Sequence, residues 1–530
     1  MLFQSGAFLI FFPIVILLFY LIPKKGQMPF LLAASYYFYM SWNAKYALLL
    51  LFSTVLTYSC ARLIEKAESA KSRKIFLILC LVLQLGILFG MKYLNFAVSL
   101  LARFLLLLHV ELTVPAFDIV LPVGISFYTF QALSYVIDVY RKEEPAEKNF
   151  LQYALYVSFF PTILSGPIER SKNLLMQIRQ QKRLNPEKIV TGLLIMAFGY
   201  FQKLIIAGRA SVMVDHVYQN LDSSSALQIL LAVFLFSIQI YCDFGGYSML
   251  ALGAAKVLGF DLTENFRQPY LAVSIQDFWR RWHISLSTWF RDYLYIPLGG
   301  SRCSRICKYR NIMITFLVSG MWHGAGLHYL VWGGLNGFFQ VCEDAFSTVR
   351  RRLPCKRLLT FIVASFTWVF FRAESVSRAV HVCLGTCRIS GSHMRQLLEM
   401  GLGRTDVIVL AIAIAVLIVA DLLHEKEISF TAWLLQRKSV SDTQCIWLSV
   451  WCFFCRWWQI SDNLRQAFCI FSFRIEESTN EKIITIYRKN TAFSAVVMRP
   501  LYPYIASFCK RADEGASGRT DTQYRLRSRV

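Results

Sequence analysis

The chain has 530 residues, 56% of them hydrophobic and 15% aromatic, with 56 Lys+Arg against 33 Asp+Glu for a formal net charge of +23. So many apolar runs approach the roughly 20 residues a helix needs to cross a bilayer that a soluble globular protein is excluded and a multi-pass membrane protein remains. The basic residues sit mostly in short loops between those runs, which is the pattern of membrane topology and gives no reason to invoke nucleic acid.

In chain order, the first stretch, MLFQSGAFLIFFPIVILLFYLIP, lacks a basic n-region and a small-residue cleavage site and reads as a retained first helix. Lys24 and Lys25 follow it, and Arg62, Lys66, Lys71, Arg73 and Lys74 follow two further spans. The positive-inside rule places both loops in the cytoplasm and the N-terminus outside. The loops Arg170 to Lys188 and Arg302 to Arg310 are also basic and expected on the cytoplasmic side, where they meet anionic lipid heads. Apolar runs lie at about 7–23, 28–42, 45–61, 75–108, 115–138, 150–166, 189–207, 226–260, 311–340, 357–373 and 405–423. With the longest of these split, the reading is an all-α polytopic membrane protein of roughly ten to thirteen transmembrane or re-entrant helices. Pro161-Thr-Ile-Leu-Ser-Gly-Pro167 breaks its run, and broken backbone at membrane depth is tolerated only where it is buried or lines a cavity.

Between Asn265 and Arg310 the texture turns Arg- and Trp-rich. Ile275, Phe278, Trp279, Trp282, Leu286, Trp289, Phe290 and Tyr293 share one arc at helical spacing, with Arg280, Arg281 and Arg291 off it, which predicts a single interfacial amphipathic helix over 274–293. Ser274 to Asp277 is a capping-box-like start. His283 falls at the edge of the apolar arc and is expected to turn toward a pocket shared with His323. From Arg437 onward charged and apolar residues mix without a clear period, so the chain divides into residues 1–436 and an atypical segment, 437–530, that fits a shifted reading frame or disorder.

Fourteen cysteines give no framework: the pairs Cys303/Cys307, Cys383/Cys387 and Cys452/Cys455 lack histidines at zinc-site spacing, and neither a metal nor a structural disulfide is expected. His323 and His328 are five apart, whereas a helical metal pair needs four. No hydrolase elbow or phosphate loop is present; Leu298-Gly-Gly300 lacks the Lys-Ser/Thr that would follow.

The chemistry therefore rests on His323, within Trp322-His323-Gly-Ala325, in a stretch from Asn311 to Gln340 that carries no acidic or basic residue. An ionisable side chain at that depth is costly and by default functional. Imidazole also exchanges a proton near neutral pH. Two readings stay open on the residues alone. With the intramembrane Asp243, His323 makes a proton relay and the chain a transporter; as general base toward a hydroxyl, it makes the chain a transferase. Gly320, Gly324, Ala325 and Gly326 are the small residues that let helices pack closely.

The string Asp277-Phe-Trp-Arg-Arg-Trp-His283-Ile-Ser-Leu-Ser-Thr-Trp-Phe-Arg-Asp292-Tyr-Leu-Tyr-Ile-Pro-Leu-Gly-Gly300, with Trp322-His323-Gly-Ala325 after it, resembles the membrane-bound O-acyltransferase family. Leu121-Pro-Val-Gly-Ile-Ser-Phe-Tyr-Thr-Phe130, Ser165-Gly-Pro-Ile168 and Tyr241-Cys-Asp-Phe-Gly-Gly-Tyr-Ser248 are similar to its alginate O-acetyltransferase-like branch, cousin of the D-alanyl teichoic acid transferases. The resemblance covers about residues 1–436 and implies a ring of helices around a central tunnel. It implies His323 as the catalytic residue and His283 as its support, with Asp243, Trp282, Arg291 and Trp322 binding substrate or lining the tunnel. Two departures accompany it: Met249 stands where many relatives carry an acidic residue, and the family's aromatic C-terminal ending is missing.

The resulting expectation is a multi-pass O-acyltransferase of the bacterial cytoplasmic membrane. It would move an acyl group, acetyl first, from a cytoplasmic thioester (acetyl-CoA or an acyl carrier protein) to a hydroxyl of an extracytoplasmic polysaccharide or partner acetyltransferase. No tightly bound cofactor, metal or nucleic acid is expected. D-alanyl transfer to teichoic acid, a proton-coupled transporter and a recruiting scaffold are the alternatives.

Overall fold

The computed structural model describes residues 1–110, 121–348, 354–387 and 399–428, which are helical with no strand among them and belong to one packed unit, Met1–Ala432. The segment 437–530 lies outside the described residues. The first five helices are α1 (Gly6–Leu21), α2 (Gln27–Met40), α3 (Lys45–Lys66), α4 (Ala70–Lys92) and α5 (Leu94–Leu107). After these come α6 (Ile125–Tyr140), the short α7 (Phe150–Ser158), α8 (Phe160–Ile163) and α9 (Leu174–Ile178), and then α10 (Pro186–Tyr200). A π-helical turn (Phe201–Ala207) joins α10 to α11 (Gly208–Gln219), and α12 (Ala226–Val257) is the longest helix described. The remainder are α13 (Ile275–Arg281), α14 (Ile284–Phe290), α15 (Arg305–His323), α16 (Leu327–Ala345), α17 (Lys356–Arg372), α18 (Val376–Gly385) and α19 (Arg404–Glu425).

Apolar runs become helices here because serine caps satisfy their first N–H groups. Ser5, Ser69 and Ser304 each accept a backbone N–H at the start of α1, α4 and α15, and Ser225 with Gln228 forms a full capping box on α12. Among the described residues, five helical stretches are long and apolar enough to cross a membrane: Lys45–Lys66, Ala70–Lys92, Pro186–Gln219, Ala226–Val257 and Arg404–Glu425. Their outer faces stay apolar. Ile75, Leu79 and Val82 of α4 and Ile408, Ile412 and Val419 of α19 are exposed, as lipid-facing side chains must be. The chain is an all-α polytopic membrane protein.

Helices approach closely where glycines remove the side chain. Gly199 and Gly246 face each other between α10 and α12, and a Cβ on either would press on the other's carbonyl oxygen, at 2.8 and 2.7 Å. Met249 packs against Gly199 at the same contact.

Two expectations about local structure are revised. The run 311–340 is two helices, α15 and α16, parted by extended Gly324 and Gly326, so His323 ends a helix instead of lying mid-span. The arc over 274–293 is three pieces: α13, α14 and a π-helical turn at Arg291–Tyr295. The Ser274 side chain does cap Asp277 N at 2.8 Å, but Asp277 reaches back to Val273 N (3.1 Å) instead of closing the box on Ser274. The break at Pro161 is as expected: α7 ends at Ser158, and Phe159, Phe160 and Ile163 around the break are fully or almost fully buried.

Candidate active site

α15 starts in the basic loop at Arg305 and ends on His323, 18 residues on, so at ~1.5 Å per residue His323 lies roughly 27 Å from that loop. The last carbonyls of a helix have no partner within it and need donors from elsewhere. The end of α4 supplies the donors. Tyr93 Oη donates to Met321 O at 2.6 Å, and Lys92 Nζ donates to Trp322 O while lying 5.5 Å from the Trp322 ring centre. A cation at a helix C-terminus also matches the helix dipole. Gly320 and Gly333 let α15 and α16 meet backbone to backbone, since a Cβ on Gly320 would run into the Tyr329 carbonyl and one on Gly333 into the Phe316 carbonyl.

The His323 ring is enclosed by aromatic edges: Trp322 at 4.9 Å, Trp332 at 5.0 Å and Phe371 at 5.3 Å, all near perpendicular. Neither ring nitrogen is hydrogen-bonded among the described residues. The indole Nε1 atoms of Trp322 and Trp332 are buried and likewise without hydrogen-bond partners there.

His283 reaches the same cluster through the break between α13 and α14. Its φ of 44° is left-handed, a strained conformation for a residue with a side chain, of the kind that concentrates at functional sites. The returning strand of chain at Asn265 and Arg267 holds it there: Ile284 N donates to Asn265 O and Arg267 N to Arg281 O, both at 2.9 Å. Asn265 Oδ1 accepts Ser285 N (3.2 Å) and Ser285 Oγ (3.0 Å), and it lies 3.1 Å from His283 Nδ1. Because a backbone N–H can only donate, the amide atom at this junction is the oxygen, and His283 Nδ1 must carry the proton. Nε2 is therefore the basic nitrogen, and it is buried without a partner among the described residues. The imidazole lies 4.6 Å from Phe244, 6.1 Å from Phe127 and 6.2 Å from Trp322, centre to centre.

The structure thus brings His283, Trp322 and His323 together, with Trp322 between the two imidazoles. Trp282 is buried one layer away, against Trp368 at 4.9 Å, and Trp368 in turn stacks on Trp332. Arg291 is not at the site; it is exposed and pairs with its neighbour Asp292 at 2.8 Å. Asp243 does not touch His323 either; it pairs with Lys203 at 2.5 Å beyond the Phe244 ring. Sequence reasoning missed Lys92, Asn265 and the aromatic enclosure. Lys92 had a signal, a cation near the middle of the apolar run 75–108, which holds one other, Arg103. Asn265 had none.

This arrangement, an imidazole in an aromatic enclosure with a second imidazole on the far side of Trp322, suits proton abstraction from a hydroxyl. The membrane-bound O-acyltransferase pattern matches residues 141–378, which include His283, His323 and most of their surroundings. The chain is 39% identical over 386 residues to "Probable alginate O-acetylase AlgI" of Pseudomonas aeruginosa, covering 72% of this chain and 73% of that one. It belongs to the membrane-bound O-acyltransferase family. It is also 33% identical over 431 residues to a peptidoglycan O-acetyltransferase of Helicobacter pylori (74% and 80% covered). A teichoic acid D-alanyltransferase of Bacillus subtilis is more distant, 30% identical over 271 residues (48% and 68% covered). Membership makes this a membrane O-acyltransferase and removes the transporter and scaffold readings.

Proposed function

We propose that this O-acyltransferase moves an acetyl group from a cytoplasmic thioester, acetyl-CoA or an acyl carrier protein, to a hydroxyl on the outer side of a bacterial cytoplasmic membrane, with His323 as general base. The observation that carries the reading is His323 itself: a basic side chain at the end of α15, free of hydrogen bonds among the described residues and enclosed by aromatic rings. His323 takes the proton of the attacking hydroxyl as its oxygen bonds to the thioester carbonyl carbon. Collapse breaks the carbon–sulfur bond, and the imidazolium returns the proton to the leaving thiolate. General-base help of this kind is typically worth about 10²- to 10⁴-fold. The indole N–H groups of Trp322 and Trp332, without partners among the described residues, are suited to donate to the carbonyl oxygen as it gains charge. His283, with its tautomer set by Asn265, supports the acceptor side through Nε2.

Acetyl is preferred to D-alanyl because the alginate and peptidoglycan relatives match a longer share of the chain at higher identity. The acceptor is a polysaccharide or a partner acetyltransferase that completes the transfer outside. The test is purified protein in proteoliposomes given acetyl-labelled coenzyme A or carrier. Stoichiometric thiol release and labelled ester on an added glycan or exported partner are expected; thiol release without ester, or neither, refutes the proposal.

A further inference from the structure

A cavity of about 210 Å³ lies beside α12, lined among others by Gln4, Ser165, Lys203, Asp243, Phe244 and Tyr247. The families of contacts around His323 do not use it. Lys203, on the π-helical turn after α10, is largely buried and pairs with Asp243 Oδ1, while the Asp243 side chain remains 57% exposed. That leaves a carboxylate pinned on one oxygen and presented on the other. π-helical turns inside α-helices occur frequently at functional sites. The Tyr247 hydroxyl is buried with no hydrogen-bond partner among the described residues, and Lys203 Nζ lies 5.8 Å from its ring centre. The inner wall is the Phe244 ring, whose other side meets His283 edge-on at 4.6 Å. One aromatic ring therefore separates this polar cavity from the His283 imidazole.

The cavity's side of the membrane follows from α1. Gln4 precedes that helix and Lys24 and Lys25 follow it, and the basic end gathers further cations: Gln27 Nε2 bonds Lys182 O, and Lys188 and Lys256 both pair with Asp261. Positive charge marks the cytoplasmic side, so the cavity lies toward the outer side.

Resting on the acyl-transfer reading, we propose that this cavity is the acceptor subsite and takes one hydroxyl-bearing ring of a saccharide. The free Asp243 oxygen accepts hydrogen bonds from adjacent ring hydroxyls, the Tyr247 hydroxyl and Gln4 supply further polar contacts, and the Phe244 ring offers a flat apolar face to the sugar's C–H groups. The volume admits a single small unit rather than a long ligand.

The experiment measures acetyl transfer by proteoliposomes of the full chain to an N-acetylglucosamine tetramer, a mannuronate tetramer and a serine hexapeptide. Asp243→Asn is expected to raise the KM of a saccharide acceptor about tenfold or more, as loss of a charge-assisted hydrogen bond does, with the donor KM unchanged. Lys203→Met should move it in the same direction, and equal thermal unfolding of the variants excludes misfolding. Direct binding separates this proposal from the chemistry. In the His323→Ala background, calorimetry with the preferred tetramer should show binding that Asp243→Asn removes, whether or not wild-type protein turns over. Unchanged acceptor KM and binding in both variants, or a response to the serine hexapeptide with both saccharides inert, overturns it.

Discussion

At the scale of single residues, the orientation of His283 depends on one amide oxygen. Asn265 Oδ1 collects three donors, and none of them is replaced if the side chain is cut back. Asn265→Ala is predicted to cost about 1–3 kcal/mol, the price of stranding the buried Ser285 N–H, read as a lower unfolding temperature in detergent. It should also lower acyl transfer, because His283 would no longer be held to the tautomer with a basic Nε2. His323 and His283 were legible in the sequence because ionisable residues in apolar or aromatic surroundings need a reason to be there. Asn265 was not, since its role arises only when the chain folds back on the α13–α14 break. Arg291 shows the opposite failure: a position that looks distinctive in a motif is spent on an exposed pair with Asp292.

Among the elements, α15 decides the site, because its last residue is the proposed base and its last carbonyls are held by α4. Lys92→Met removes the donor to Trp322 O and is expected to cost about 1–3 kcal/mol and to lower transfer, checked by thermal unfolding and turnover in the same preparation. The glycine seam between α15 and α16 gives a paired prediction. Gly320→Val drives a side chain into the Tyr329 carbonyl and is expected to destabilise by about 1–3 kcal/mol, whereas a Cβ on Gly334 meets only Leu317 Cδ2 at 3.6 Å, so Gly334→Ala should be tolerated. The apolar runs placed most of the longer helices and the interruption at Pro161, while α9, α11 and α18 fall in none of those runs. The breaks at Trp282–His283 and Gly324–Gly326 were not readable. The first keeps its residues on a helical arc even though His283 turns left-handed, and the second lies inside an uninterrupted apolar run, so neither alters the periodic signal.

For the whole molecule, the claim is one of sidedness: donor from the basic face, acceptor from the other. Cys303 is exposed in the basic loop before α15. In a protein whose only cysteine is Cys303, a membrane-impermeant maleimide should label spheroplasts only after permeabilisation, and a cysteine placed at Gln4 should react without it; the reverse pattern would invert the orientation. Composition was sufficient to read the membrane class, because it is a sum over many residues. The most direct test of the account is acetyl transfer by His323→Ala beside wild-type protein, in proteoliposomes supplied with labelled acetyl thioester and acceptor. The account predicts that ester formation falls by about 10²-fold or more in His323→Ala with the protein still folded and donor binding retained. Full transfer by that variant would contradict it.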